Sequence, residues 1–367
     1  MILMNDFKAE TVALRESMLD ATRRVLDSGW YVLGNEVLAF EQLWATACSV
    51  AYGVGVGNGM DAIEIALRAL DIGPGDEVIT TPMTAFATVL AIIRSGATPV
   101  LADIDPRTAL LSIDSAARCV SKNTKAVLLV HLYGQVRSMV AWQSFCEGAG
   151  IKLIEDCAQA HLATLNGKVA GSFGVAGAYS FYPTKNLGAA GDAGMLVTGD
   201  ELLANRAKCL RNYGQSVRYH HPEIGMNSRL DELHAAMLSE RLKWLPEFTG
   251  RRRQVAALYR SGIQNAAIGQ LVSPEADSAH VYHLYVITCE QRDALQAHLH
   301  ERGVQSLIHY PVPVHYQAPC RDIKMDAMGL HASELHADTC LSLPCHPQMS
   351  DDDIMQVIDA VNLFCVK

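Results

Sequence analysis

Tyr52-Gly53-Val54-Gly55-Val56-Gly57-Asn58-Gly59-Met60-Asp61-Ala62-Ile63-Glu64-Ile65-Ala66-Leu67-Arg68-Ala69-Leu70 changes character at its glycines. Tyr52–Val56 is a short β-like run. Gly57-Asn58-Gly59 then turns it into a helix, because Ile63, Ala66, Leu67 and Leu70 fall at i, i+3, i+4 and i+7. Gly73-Pro74-Gly75-Asp76 stops that helix and leads into a strand over Glu77–Thr81. The same alternation continues outward. A helix is expected over Ala85–Arg94, closed by Gly96, and a strand over Pro99–Asp103. A helix near Ser112–Val120, a strand over Ala126–Val130, a helix over Ser138–Ala149 and a strand over Lys152–Glu155 follow. Strands alternating with helices imply right-handed crossovers and a mostly parallel sheet. Their near-continuous apolar runs place helices on both faces.

After Ser228 the pattern changes. A long helical stretch carries Leu233, Met237, Leu238, Leu242 and Leu245 and breaks near Pro246. Tyr282–Thr288 reads as strand, Arg292–Glu301 as helix, Val304–Ile308 as strand and Ile354–Phe364 as helix. The expected fold class is therefore α/β. Residues 1–245 form a large domain with a sheet of the seven-stranded type, and 246–367 a smaller α+β domain. The N-terminal segment is free to pack on the small one.

The 367 residues are 50% apolar and 19% charged, with a net charge of -9. That is a globular balance, and without a Lys/Arg-rich tract it argues against a nucleic-acid partner. Arg251-Arg252-Arg253 is the one dense basic spot and reads as the solvated face of a helix. No apolar run is long enough to span a bilayer, and Met1 to Glu10 gains Asp6, Lys8 and Glu10 without a signal-like core. Ten cysteines with no C-x-x-C pair suggest neither a metal site nor a redox motif, and a reducing cytoplasm is the expected location.

Four features carry chemistry. Gly57-Asn58-Gly59-Met60-Asp61 opens a helix, so its free N–H groups and positive dipole end suit a phosphate; it reads equally as a plain tight turn. The glycines at 53, 55, 57 and 59 also hint at a dinucleotide site, but the G-x-G-x-x-G spacing is absent at the helix start. In Glu155-Asp156-Cys157-Ala158-Gln159-Ala160-His161, Asp156 ends a buried strand, where ligands of open sheets bind. A buried carboxylate there calls for a cation, such as a protonated pyridine nitrogen; the plainer reading is a cap. In Tyr179-Ser180-Phe181-Tyr182-Pro183-Thr184-Lys185-Asn186-Leu187-Gly188, Lys185 sits between an apolar strand and a glycine-rich loop. Such a lysine loses charge and can act as a Schiff-base amine, while Ser180 and Thr184 can donate hydroxyls to a phosphate. Gly225-Met226-Asn227-Ser228-Arg229 offers Asn and Arg to an anion, or Asn227 or Ser228 as a helix cap.

Together these strings resemble the DegT/DnrJ/EryC1/StrS family of pyridoxal-5'-phosphate (PLP) sugar aminotransferases, of PLP transferase fold type I. The likeness runs from Gly29-Trp30-Tyr31 to the last helix, and includes Lys185 placed 29 residues beyond Asp156. Phe181-Tyr182-Pro183-Thr184-Lys185, Asn227-Ser228-Arg229-Leu230-Asp231-Glu232 and His309-Tyr310-Pro311-Val312-Pro313-Val314-His315 resemble the branch that aminates C3 of dTDP-3-keto-6-deoxyhexoses.

The resemblance implies roles. Lys185 would hold PLP and move the proton; Asp156 would pair the pyridine nitrogen; Gln159 would approach the ring hydroxyl. Gly59, Met60 and Ser180 would bind the phosphate, and Asn227 would reach the phosphate of a second subunit, implying a homodimer. L-Glutamate is the expected donor, with pyridoxamine phosphate midway. His309, Tyr310 and His315 would line the pocket for the nucleotide-linked keto sugar, or else be polar residues on a loop. Trp30, Tyr31 and Tyr182 could border it, and Tyr219 with His220 and His221 could meet the diphosphate or lie in solvent. Two positions depart from the family pattern. Met60 stands where many relatives have Thr, and Ala85 where most have an aromatic residue that stacks on the ring. Phe86, one residue later, is the candidate replacement. C4 amination, a PLP-binding regulator and an oxidoreductase are the rival functions; C3 dehydration is disfavoured because its enzymes carry histidine in place of the lysine.

Overall fold

The computed structural model describes residues 1–365. In chain order the first half comprises α1 (Val12–Ser28), α2 (Asn35–Ala47), β1 (Tyr52–Val56), α3 (Gly59–Ala69), β2 (Glu77–Thr80), α4 (Phe86–Ser95), β3 (Thr98–Leu101), α5 (Ile113–Cys119), β4 (Thr124–Val130), α6 (Met139–Ala149) and β5 (Lys152–Asp156). A small hairpin of β6 (Thr164–Leu165) and β7 (Lys168–Val169) precedes β8 (Ala176–Ser180), β9 (Gly194–Thr198), α7 (Glu201–Leu210), α8 (Glu232–Leu242) and α9 (Leu245–Gly262). The chain ends with β10 (Gly269–Gln270), β11 (Tyr285–Thr288), α10 (Arg292–Glu301), β12 (Lys324–Met325), α11 (His331–Thr339), β13 (Cys340–Leu343) and α12 (Asp351–Asn362).

The main sheet has eight strands in the order β1-β9-β8-β5-β4-β2-β3-β12. β9 alone runs against its neighbours, pairing antiparallel with both β1 and β8. The other pairings are parallel, with Asp156 opposite Val130 on one side and Ala178 on the other. The eighth strand, β12, comes from the C-terminal part of the chain and joins the edge beside β3. Strands β2, β8 and β9 are buried along almost their whole length, which is why their sequences lack a polar alternation. On one face, Phe40, Trp44, Tyr179 and Phe181 form an edge-packed aromatic core. On the other, Val54, Val56, Ile63, Ile65 and Leu67 pack with α7.

The glycines before α3 serve this packing. A Cβ on Gly53 would come 2.7 Å from the Glu41 carbonyl oxygen, and one on Gly55 would come 2.9 Å from Leu230 Cβ. Arg211 and Glu41 form a buried ion pair across the same strand; Glu41 Oε1 accepts from Gly55 N–H at 2.8 Å and Arg211 Nη1 donates to Gly55 O at 2.8 Å.

The three-stranded sheet β10-β11-β13 carries a second core with Val255, Tyr259, Leu295, Leu299, Val357 and Val361. Ile2 belongs to that core, bridging Val304 through Ile2 N–H to Gly303 O at 2.7 Å and Gln305 N–H to Ile2 O at 2.9 Å. Val304–Ile308 therefore makes isolated bridges and not the strand its composition suggests. The helical stretch breaks at Lys243 and Trp244, and Pro246 lies in the first turn of α9, where its missing N–H costs nothing. The Arg251–Arg253 triplet corrects the expectation of a solvated face. Arg252 is buried, its Nη1 donating to the carbonyls of Tyr282, His283 and Cys345, and Arg253 donates to those of Ser278 and His280. Loop carbonyls with no ladder partners need donors, and the long guanidinium stems reach them. Among the described residues, no helix is long and apolar enough to cross a membrane.

Trp44 meets Phe40, Tyr179 and Phe181 and is fully enclosed. Trp44→Ala should cost about 3–5 kcal/mol of stability, read by denaturant unfolding.

Candidate active site

Lys185 follows β8 on a tight turn, with Lys185 N–H donating to Tyr182 O at 2.8 Å. The residues on either side anchor that turn. Asn186 is buried, its Nδ2 donating to Val281 O at 2.9 Å, and its Oδ1 lies 3.2 Å from His283 Nδ1. Leu187 N–H donates to His161 Nδ1 at 3.0 Å. The lone pair on Nδ1 is thereby used, so His161 carries its proton on Nε2 and donates it to Ser180 O at 3.0 Å. Burial pushes the Lys185 amine down from 10.5 to about 8, and the nearby Asp156 carboxylate partly offsets the fall.

Asp156 ends β5 beside β8. Its Oδ2 accepts from Thr88 Oγ1 at 2.8 Å and its Oδ1 from Ala158 N–H at 3.1 Å. Thr88 spends its proton on Asp156, so Thr84 must donate across the 2.7 Å contact between the two hydroxyls. Among the described residues no Lys, Arg or His lies within ion-pair distance of this buried carboxylate. Gln159 Oε1 accepts from Tyr133 N–H at 2.6 Å, and its Nε2 donates to Tyr310 Oη at 3.2 Å. A backbone N–H can only donate, so the amide orientation is fixed and one Nε2 hydrogen is left over.

The turn before α3 abuts the end of β8. A Cβ on Gly59 would come 2.7 Å from Ser180 Cβ, so only glycine lets the helix start this close. Asn58 Oδ1 caps Asp61 N–H at 2.8 Å. The N–H groups of Gly59 and Met60 open the helix and have no carbonyl one turn back. Ser228 is not a helix cap: its Oγ accepts from Gly57 N–H at 3.0 Å and donates to Asp61 Oδ2 at 2.6 Å, bracing this turn, while Asp231 stands at the start of α8. Asn227 is exposed beside it.

Three imidazoles surround Lys185. Burial and the lysine's charge push His161 down to about 3 and His309 to about 4, and His283 well below its usual value. All three are neutral at pH 7 and add no charge around the amine. His309 Nδ1 meets Ser342 Oγ at 2.8 Å, and Tyr310 is raised to about 12, by burial first and then by Asp156.

The other residues expected at the site make contacts of their own. His315 lies 3.2 Å from Glu334 and against the ring of Tyr316, and none of these contacts reaches Lys185, Asp156 or Gln159. Phe86 starts α4 and packs with Val89, Leu101, Val314, Cys320 and Leu330, while Ala85 occupies the cap position. Trp30 and Tyr31 are largely exposed, tied to α8 through Val32 and the Glu232 N–H to Tyr31 O bond at 3.2 Å. Tyr182 is half exposed, and Tyr219 stands 78% exposed under the Arg218 guanidinium. His131, Glu155 and Cys157 cluster beneath the site. Glu155 already accepts from the N–H groups of Gly171, Phe173 and Gly174 and meets His131 Nε2, so the cluster braces a loop.

Residues 12–362 match the DegT/DnrJ/EryC1/StrS aminotransferase family. This chain belongs to that family. It is 43% identical over 364 residues, 99% of both chains, to the dTDP-3-amino-3,6-dideoxy-alpha-D-galactopyranose transaminase of Aneurinibacillus thermoaerophilus. It is 42% identical over 360 residues, 97% of this chain and 94% of the other, to the dTDP-3-amino-3,4,6-trideoxy-alpha-D-glucose transaminase of Streptomyces venezuelae. The solved structure of S. venezuelae DesV in complex with a ketimine intermediate superposes with a TM-score of 0.95 at 42% identity, covering 98% of this chain and 97% of that one. The DegT/DnrJ/EryC1/StrS chain is thus an aminotransferase with the family's α/β architecture.

Sequence reading missed Thr84, Thr88, Tyr133, Asn186, His283 and Arg252. Thr84 and Thr88 carry a legible signal, two hydroxyls one helical turn apart at a predicted helix start. The other four act through tertiary contacts.

The lowered Lys185 pKa sets a pH dependence. Amine capture of PLP by the apo-enzyme should rise about tenfold per pH unit below pH 8 and level off above it, followed by stopped-flow absorbance. Asp156 raises the lysine's pKa, so Asp156→Asn should move the inflection downward; an inflection near 10.5 in the wild type would contradict the buried setting.

Proposed function

We propose that this chain is a PLP-dependent aminotransferase that moves an amino group from L-glutamate to the C3 keto group of a nucleotide-linked 3-keto-6-deoxyhexose, with dTDP as the carrier. The observation that carries the reading is Lys185, its amine pushed down to about 8, near a buried Asp156 carboxylate with no Lys, Arg or His within ion-pair distance among the described residues. The relatives named above, identified as transaminases of dTDP-3-amino sugars, supply the position and the nucleotide.

The residues fit the cofactor. Asp156, held by Thr88, would keep a pyridine nitrogen protonated. The spare Nε2 hydrogen of Gln159 would meet the ring hydroxyl. The N–H groups of Gly59 and Met60 and the Ser180 hydroxyl would bind the phosphate. Bound there, PLP supplies an electron sink that stabilises negative charge on the carbon losing its proton. Lys185 Nζ would take that proton from the donor's α-carbon and deliver it to the cofactor's C4' atom, and would move it the opposite way, from C4' to C3 of the sugar, in the second half. The neutral imidazoles leave it free of a competing acid.

His309 Nδ1 is spoken for by Ser342, which leaves Nε2 for the sugar, and Tyr310 stands over Gln159. Tyr182, with Trp30 and Tyr31, would border the same pocket. The exposed Asn227, Trp30 and Tyr219 belong to a surface that a second copy would cover, with Asn227 reaching the partner's phosphate. The large domain would span 1–245, with Ile2 seated in the second core, and the small one 246–367, with β12 joined to the large sheet.

Glutamate should bleach the visible band of the loaded enzyme and a dTDP-3-keto-6-deoxyhexose should restore it, with NMR of the product placing nitrogen on C3. Nitrogen on C4 would transfer the assignment to the C4 reading, and a band indifferent to glutamate would favour a regulator. Lys185→Ala should abolish turnover. His309→Ala should raise the sugar KM by about one hydrogen bond's worth, roughly 3- to 10-fold, in steady-state kinetics.

A further inference from the structure

The turn after β4 holds a residue that the mechanism does not use. Tyr133 is fully buried and has a φ of 62°, an uncommon left-handed conformation for a bulky side chain. Such a conformation persists where the surroundings fix it, and it clusters at functional sites. Both ends of Tyr133 are engaged. Its N–H donates to Gln159 Oε1 at 2.6 Å, and Gln159 in turn donates to Tyr310 Oη. Its own hydroxyl donates to His309 O at 2.6 Å and lies 2.9 Å from His336 Nε2.

The proton positions follow from chemistry. A carbonyl oxygen can only accept, so the single hydroxyl proton of Tyr133 points at His309. His336 must then donate from Nε2, and burial, which pushes its pKa down to about 4, keeps it neutral with one N–H to give. The result is a one-way chain from His336 on α11, through Tyr133, to the backbone of His309. Together with the Gln159 branch it closes a ring that touches two successive residues, His309 through its carbonyl and Tyr310 through its hydroxyl.

We infer that Tyr133 is a positioning residue for the keto-sugar subsite: its hydroxyl, ordered by His336, fixes the height of the His309–Tyr310 segment above Gln159. This rests on the acceptor reading proposed above. A tyrosine that only filled the core would have no reason to bond both its backbone and its hydroxyl to the same dipeptide's support. The Lys185 and Asp156 end of the site does not depend on this chain of bonds, so the amino donor should not feel its loss.

The test is Tyr133→Phe in the cofactor-loaded enzyme, with L-glutamate and a dTDP-3-keto-6-deoxyhexose varied separately and amide exchange across residues 305–312 followed in the unliganded protein. One hydrogen bond lost should raise the sugar KM about 3- to 10-fold. The glutamate KM should stay put, and exchange in the segment should quicken. An unchanged sugar KM with unchanged exchange would overturn the inference, as would equal losses for both substrates, the mark of general loosening. Should Tyr133→Phe not fold, His336→Ala must produce the same split and His336→Gln, whose amide can donate in place of the ring N–H, must restore it. A His336→Ala enzyme with wild-type sugar KM and exchange would also overturn it. Failure of the wild-type enzyme to use the keto sugar would instead remove the acceptor reading, and the exchange measurement would still decide the clamp.

Discussion

A carboxylate buried at the end of a central strand is costly until a cation meets it, and the architecture around Asp156 is arranged on that condition. β5 delivers the carboxylate between β4 and β8, and Thr84 and Thr88 orient one of its oxygens. The neighbouring strand delivers Lys185 from the same side, on a turn pinned through Asn186 and Leu187. Two groups of opposite sign are thus kept near each other without being paired off. On the function proposed above, the Asp156 carboxylate would meet a cationic ring, and the lowered basicity of Lys185 suits an amine that both bonds and carries a proton.

The surroundings hold that balance by staying neutral. His161, His283 and His309 are buried imidazoles, and a protonated one would compete with Lys185 for the field of Asp156. Arg252 contributes positive charge from behind. Among the described residues it has no carboxylate partner; it donates to the carbonyls of Tyr282, His283 and Cys345, and it is one cause of the low pKa values of His161 and His283. A residue that reads in the sequence as a surface arginine is therefore part of the electrostatic frame around the site.

What could be read from sequence was what local chemistry dictates. The alternation from Tyr52 to Asp156 follows from apolar period and glycine stops, and the observed elements fall within a few residues of it. Lys185, Asp156 and Gln159 are brought to one region because each ends or follows one of two parallel strands, β5 and β8, at their carboxyl ends. The rest depended on distance in the chain. β12 is two residues long and joins the large sheet only because Asp326, anchored by Ser115 and Arg118, brings it there. His315 has the company of prolines and aromatic residues expected of a pocket, yet its Nε2 is engaged by Glu334 on α11, a contact no local pattern announces. Tyr133 gives no local signal, since its left-handed turn is stabilised by Gln159, His309 and His336, the last two from the far end of the chain.

The N-terminal strap has a consequence for how such a chain is made. Met4 N–H donates to Gln305 Oε1, a contact that spans 301 positions, and Ile2 is built into the core formed by β11, β13 and α12. During synthesis Ile2 and Met4 must wait until the residues as far as α12 have followed before their seat exists. Contacts of such long reach form late and slowly, because the intervening loop must be closed before they give any return. The large sheet is complete, save for its β12 edge, well before that point. A growing chain therefore holds a nearly finished large sheet with the Ile2–Met4 segment still unseated, and burying that segment against the second core is among the late steps of folding.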